Sequence, residues 1–99
     1  VSAMQQTSLN QIVKAVAEHF DVSEKKLYGK SRVMQIALAR HVAMFLSREL
    51  TQNSLILIGK HFGNRDHSTV IHACKTVEIK LLEDQALKKN INILKTQLQ

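Results

Sequence analysis

The run of five polar residues from Arg65 to Thr69 has side chains that can recognise anions and the hydrogen-bonding edges of ligands. Asp66 has the side chain of a helix cap, whose oxygen can accept a backbone N–H of the next turn. His67, Ser68 and Thr69 would then form the first turn of a helix. Free N–H groups at a helix start favour phosphate, and such a turn can also present side chains to base edges. The alternative is a solvated helix start with an ordinary cap, because polar first turns are common.

Two helices joined by a tight turn are predicted to position this polar run. Gly63 and Asn64 are the residue types that enter positive φ most easily, so the chain can reverse between the helices. Apolar residues recur at intervals of three and four on both sides of the turn, as one buried face of each helix requires. These residues are Leu55, Ile58 and Phe62 before the turn, and Val70, Cys74 and Val77 after it.

Positive charge is concentrated in the middle of the 99-residue chain, whose formal net charge is +6. Nine Lys and Arg residues, including all four arginines, lie between Lys25 and Lys75, against only Glu49 and Asp66. This distribution predicts a face that binds a polyanion. The alternative is a generic solubilising surface. Membrane-surface binding is less favoured, because the basic residues accompany no exposed stripe of large apolar groups.

The segment Lys30-Ser31-Arg32 is interpreted as a basic loop that leads into a long helix. Gly29-Lys30-Ser31 resembles the end of a phosphate-binding P-loop, but that motif needs a glycine where this chain has Glu24. No apolar strand precedes the segment either, so nucleotide binding is rejected.

The chain lacks the residue patterns of a metal site or a catalytic centre. His67 and His72 are five residues apart, which puts them on different helix faces, and no HExxH motif occurs. Glu49 and Asp66 are isolated acids among basic residues, so a catalytic carboxylate pair is not predicted. Cys74 is the single cysteine, so an internal disulfide is excluded. Its thiol is interpreted as buried.

The remaining patterns predict a single all-α domain of five or six helices at residues 8–99, after a linker remnant at residues 1–7. Ser8 with Gln11 forms a capping-box pattern for a first helix that ends at Asp21, and Ser23 would cap a short helix. The last helix is expected to follow Glu83-Asp84. The predicted core residues outside the central pair of helices are Ile12, Val13, Val16, Phe20, Leu27, Val33, Ile36, Ala37, Val42, Phe45, Leu46, Leu50, Leu81, Leu82, Leu87, Ile91, Leu94 and Leu98.

Arg40, His41 and Ser47 are expected to leave the long helix from its other sides, and Arg48 to lie on its outer side. No apolar run reaches membrane-spanning length and no signal-peptide pattern opens the chain, so a cytoplasmic location is expected.

Two long segments resemble one known family. The segment from Gly59 to Ala73, GKHFGNRDHSTVIHA, is similar to the signature of the bacterial replication initiator DnaA, in its C-terminal duplex-binding domain. The segment from Ala39 to Leu50, ARHVAMFLSREL, resembles the helix that precedes this signature in the family. The resemblance covers nearly the whole chain. It implies a Trp-repressor-like helix-turn-helix fold that recognises short, asymmetric double-stranded DnaA boxes at the replication origin.

The resemblance also implies a role for each matched residue. Arg32 matches the basic-loop arginine that enters the minor groove, and Leu55 and Ile56 match a pair that touches thymine methyls. Ile56 departs from the family, where proline is common, and His41 stands in place of a glutamine. Asp66, His67 and Ser68 match readers of bases in the major groove. The positions that match contacts to the DNA backbone are Lys30, Arg40, His41, Arg48, Ser54, Arg65, Thr69, His72 and Lys75.

By the same resemblance, this chain needs no cofactor and is not an enzyme, whereas the full-length family protein carries an ATPase domain that binds ATP and Mg²⁺. Its expected partners are double-stranded DNA, other initiator subunits through domains outside this chain, and regulatory proteins. The fragment itself is expected to be monomeric. Two alternatives remain: a non-specific nucleic-acid or architectural binder that uses the same charge, and a helical protein-interaction adaptor.

Overall fold

Six α-helices form the domain in the computed structural model, which describes residues 7–99. These residues contain no β-strand, and the all-α prediction with a helix-turn-helix is confirmed. Residues 1–6 of the predicted linker remnant lie outside the described residues, whereas the Thr7 hydroxyl donates a hydrogen bond to the Leu98 carbonyl at 2.7 Å. The helices are α1 (Leu9–Phe20), α2 (Glu24–Tyr28), α3 (Met34–Leu50), α4 (Leu55–His61), α5 (His67–Leu81) and α6 (Gln85–Leu98).

Side-chain caps set the start of five of these helices. Ser8 forms the predicted capping box with Gln11, in which each side chain accepts a hydrogen bond from the backbone N–H of the other. The predicted caps Ser23, Ser54 and Asp66 each accept a backbone N–H of the following turn, as does Asp84 at α6. These bonds satisfy N–H groups that the helix itself leaves free. Helix α3 begins after Val33 without a side-chain cap.

Helix α3 is the centre of the fold, because it packs against each of the other five helices. Its apolar residues therefore face the core from several sides at once. The core that they form with the neighbouring helices is continuous. The buried apolar residues of α3 are Ile36, Ala39, Val42, Ala43, Met44, Phe45 and Leu46.

This central position explains where the predicted core was wrong. Arg40 and Ser47, expected to leave α3 from exposed sides, are only 6% and 0% exposed. The Ser47 hydroxyl donates to the Ala43 carbonyl at 2.7 Å, so its burial leaves no donor unsatisfied. Val33 and Leu82, expected in the core, are 60% and 81% exposed because each lies just outside the end of its helix.

Helices α4 and α5 form the predicted helix-turn-helix. Gly63 and Asn64 both have positive φ, at 77° and 58°, as expected for the reversal after Phe62. The Arg65 backbone N–H donates to the Gly59 carbonyl at 2.8 Å, which closes the turn. At Gly59 the backbone of the turn is so close to α4 that an added Cβ would lie 2.2 Å from the Arg65 carbonyl oxygen.

Gly59→Ala should therefore lower the free energy of unfolding by at least about 2 kcal/mol, because a backbone atom cannot yield as a flexible side chain can. Gly29→Ala is the matched control, since its Cβ would meet no atom closer than 3.6 Å and its φ of −86° suits any residue. That variant should stay within about 0.5 kcal/mol of the wild type. Urea unfolding of the two variants measures the difference, and equal stabilities would contradict the close approach at Gly59.

Candidate nucleic-acid interface

The first turn of α5 presents exposed polar side chains that also hold one another in place. The Ser68 backbone N–H donates to Asp66 Oδ2 at 3.1 Å, and the Ser68 hydroxyl donates to the same oxygen. His67 Nδ1 lies 3.6 Å from Asp66 Oδ1. The side chains of Asp66, His67, Ser68 and Thr69 are all exposed. The turn thus offers a carboxylate, an imidazole and two hydroxyls to an outside ligand.

Asp66 is ionised at neutral pH. The Ser68 hydroxyl bond, followed by the Ser68 backbone N–H, lowers the pKa of Asp66 below its ordinary value. A carboxylate can only accept hydrogen bonds, so it selects ligand groups that donate them, such as the exocyclic amines of bases.

A concavity of about 440 Å³ lies beside this turn and connects it with α4. We call it the reading concavity; its lining residues are Ile56, Lys60, Asn64, Arg65, Asp66 and His67. Ile56 is 57% exposed and supplies an apolar group among polar ones. Sequence reasoning missed Lys60 and Asn64 here, although Lys60 is four residues after Ile56 and so shares its helix face.

The predicted basic loop lies across a second concavity from the helix-turn-helix. This loop groove measures about 710 Å³. Lys30, Ser31 and Arg32 line one part of it, whereas Asn64, Arg65 and Thr69 line another. The fold therefore brings two segments more than thirty residues apart to one side of the molecule. Lys30 and Arg32 are exposed there.

Arg40 and Arg65, predicted to contact the DNA backbone, donate hydrogen bonds from their guanidinium groups to carbonyls of the protein itself. Arg40 Nε donates to the Leu27 carbonyl at 2.9 Å. The two terminal nitrogens of the guanidinium donate to the carbonyls of Ser31 and Lys26, each at 3.1 Å. Arg40 is buried and uses three of its five N–H groups in these bonds, but it also lines the loop groove, so its contact with phosphate stays a prediction. Arg65 is half-buried and still lines both concavities.

The bonds of Arg65 join the turn to the basic loop. Its guanidinium donates to the carbonyls of Tyr28 and Gly29, before the loop, and of Phe62, in the turn. Carbonyl groups at the end of a helix lack partners within the helix, so these bonds satisfy acceptors that burial would otherwise leave free. Arg65 thus positions the basic loop relative to the turn of the helix-turn-helix.

His41 is half-buried and lines the loop groove. Burial lowers the pKa of His41 most, and Coulombic interactions with Arg40, His72, Lys80 and Arg65 lower it further. The imidazole is therefore neutral at neutral pH. In that form it can still donate one hydrogen bond from its remaining N–H group. The surroundings of His41 therefore include the cations Arg40, Arg65 and Lys80.

The other predicted contact residues lie outside the two concavities. Leu55 is half-buried against the core, so only its neighbour Ile56 lines the reading concavity. Ser54 is exposed and caps α4 by accepting the Leu57 N–H. Arg48, His72 and Lys75 are exposed. Within residues 7–99, no three His, Cys, Asp or Glu side chains gather as a metal ion would require.

Comparison with known proteins places this chain in a family. The family model described as bacterial dnaA protein helix-turn-helix matches residues 9–77. The chain belongs to the DnaA family. This confirms the resemblance that the two sequence segments indicated.

Relatives and one solved structure extend the match to most of the chain. The chromosomal replication initiator protein DnaA of Chlorobaculum tepidum is 44% identical over 94 residues, which are 95% of this chain and 19% of that protein. The DnaA protein of Limosilactobacillus reuteri is 42% identical over 98% of this chain and 22% of its own length. A crystal structure of a DNA replication initiation factor superposes with a TM-score of 0.81 at 34% identity, covering 91% of this chain and 27% of that one.

The chain thus spans about a fifth of the length of these DnaA proteins, and the match falls on the helix-turn-helix of the family. Among residues 7–99, no helix has the length and apolar character needed to cross a membrane.

Arg40→Met should lower the free energy of unfolding by about 2–4 kcal/mol, because the carbonyls of Lys26, Leu27 and Ser31 lose a shared donor. Arg48→Met, at an exposed position of the same helix, should change it by less than about 0.5 kcal/mol. Urea unfolding of both variants without DNA measures the difference. If Arg40→Met were as stable as the wild type, the hydrogen bonds of the Arg40 guanidinium would not contribute to stability, and that group would be available to bind phosphate.

Proposed function

We propose that this domain binds double-stranded DNA in a sequence-specific manner, at DnaA boxes of the replication origin, and so takes part in initiating and regulating chromosomal replication. The observation that carries the proposal is the loop groove, across which the basic loop faces the helix-turn-helix. An exposed basic loop and an exposed first turn on one side can enter adjacent grooves of the same duplex.

The reading concavity supports a contact with base edges in the major groove. Asp66 accepts hydrogen bonds, His67 can donate or accept them, and Ile56 can pack against a thymine methyl group. Ser68, next to His67 in the same turn, adds an exposed hydroxyl that donates to Asp66 and can accept a hydrogen bond from a ligand.

The basic loop supports a contact with the minor groove. Arg32 is exposed and lies where the basic loop borders the loop groove of the protein. A narrow minor groove concentrates negative potential, which attracts an inserted guanidinium. Lys30, Thr69 and the neutral imidazole of His41 surround the same space and can donate hydrogen bonds to phosphate oxygens.

The domain is proposed to act as a monomer on one box and to need neither nucleotide nor metal for this binding. Its proposed location is the nucleoid in the cytoplasm. ATP binding and contacts with other initiator subunits are assigned to parts of the full-length family protein outside this chain.

Fluorescence anisotropy with a labelled DnaA box and a scrambled duplex tests the proposed function. We expect the box to bind much more tightly, with log K falling against log salt at a slope of about −5 to −7 if roughly five to eight phosphates are neutralised. Equal affinity for both duplexes would favour a non-specific binder. A slope near zero would leave the protein-interaction adaptor as the alternative.

His67 and Thr69 provide a sharper test, because they lie two residues apart but line different concavities. His67→Ala should cost about 1–3 kcal/mol on the box and little on the scrambled duplex, since a base contact carries sequence information. Thr69→Ala should weaken both duplexes by similar factors, as the loss of a phosphate contact does.

Circular dichroism must show unchanged helix content in both variants, because a lost first turn of α5 would imitate either result. If His67→Ala left the preference for the box intact, the imidazole would not read a base.

A further inference from the structure

A third concavity continues from the loop groove, between the start of α3 and the second half of α5. It measures about 420 Å³. Arg32, Ala37 and His41 line both this α3–α5 groove and the loop groove, so the two form one continuous depression. The residues that line the α3–α5 groove are Arg32, Met34, Gln35, Ala37, Leu38, His41, Thr76 and Lys80.

The lining of the α3–α5 groove combines apolar groups with cationic ones. Met34, Ala37 and Leu38 are apolar, and Met34 is 84% exposed at the first residue of α3. Arg32 and Lys80 are exposed cations. A sugar–phosphate backbone presents the complementary combination, an apolar face of deoxyribose beside an anionic phosphate.

The charge of the groove is not neutralised by nearby acids. Within residues 7–99, a basic nitrogen lies within 4.0 Å of a carboxylate oxygen only in the contacts of His67 with Asp66 and of Lys95 with Glu49, so no carboxylate pairs with Lys80 at that distance. Besides burial, the groups that lower the pKa of His41 include no acid: they are Arg40 on α3, Arg65 in the turn, and His72 and Lys80 on α5. Lys80 is therefore close enough to add to the field of the groove.

We propose that the α3–α5 groove binds the DNA backbone that borders the minor groove entered by Arg32, with Lys80 as its main phosphate-binding cation. The proposal rests on the proposed function, since it requires a bound duplex. It extends the interface along α5 well past the first turn, because Lys80 is about 18 Å along the helix axis from Ser68.

The test compares Lys80→Gln with Lys88→Gln, which removes the same charge from an exposed position of α6 that lines neither groove. Anisotropy titrations of both variants and the wild type use the DnaA box at several salt concentrations. At about 0.1 M salt, Lys80→Gln should weaken binding roughly three- to tenfold and make the salt slope less negative by about 0.9, the effect of one phosphate contact. Lys88→Gln should weaken binding less than about twofold.

Uncharged methylphosphonates placed one at a time near the minor groove then locate the contact. At one or two positions the wild type and Lys88→Gln should lose several-fold affinity, whereas Lys80→Gln should lose none. If Lys80→Gln matched Lys88→Gln in affinity, slope and methylphosphonate profile while the wild type still preferred the box, only this proposal would fail. If the wild type did not distinguish the box from a scrambled duplex, the proposed function would fail first.

Discussion

The hydrogen bonds of the Arg65 guanidinium fix the two parts of the candidate interface relative to each other. The guanidinium donates to carbonyls on both sides, Tyr28 and Gly29 before the basic loop and Phe62 in the turn of the helix-turn-helix. Arg40 adds three bonds from α3 to Lys26, Leu27 and Ser31. Two arginines from different elements thus hold one short stretch of backbone. These bonds add to the buried Leu27 and to the contacts of Tyr28 with His61 and Phe62, which also hold the end of α2.

This arrangement is needed because α2 has little stability of its own. A helix of five residues is far shorter than an isolated helix needs, and only Leu27 and Tyr28 of α2 pack against the core. The arginine bonds therefore supply much of the order at its end. A loop that is already ordered before DNA arrives loses less conformational freedom on binding, and it keeps a set distance from the first turn of α5. Preorganisation of this kind suits a domain proposed to contact two grooves at once.

Local signals in the sequence predicted most of the fold, whereas long-range packing decided the rest. The caps Ser8, Ser23, Ser54 and Asp66 and the Gly63-Asn64 turn depend on neighbours within a few residues, and all were confirmed. The burial of Arg40 and Ser47 could not be predicted in this way, because it follows from α3 being surrounded by five helices.

The candidate site shows the same division. The chemistry of the first turn of α5 is visible in the run from Arg65 to Thr69, and the basic loop is visible in its composition. That Arg65 would bond to Tyr28 and Gly29 depends on how α4 packs near α2, which no local pattern reports. Lys80 was missed because it lies beyond the basic middle segment, and only the packing of α3 against α5 brings it near His41.

The burial of two arginines also changes how the charge of the chain should be understood. Counting residues assigns all four arginines to the binding face, yet Arg40 and Arg65 direct their donors inward. A guanidinium nevertheless stays charged when buried and hydrogen-bonded, and its field extends past the atoms that it contacts. The pKa of His41, which lines the loop groove, is lowered first by burial and then by interactions that include both arginines. The same two side chains therefore hold the loop by hydrogen bonds and attract an anion by charge. A neutral donor at either position could preserve only the first of these effects.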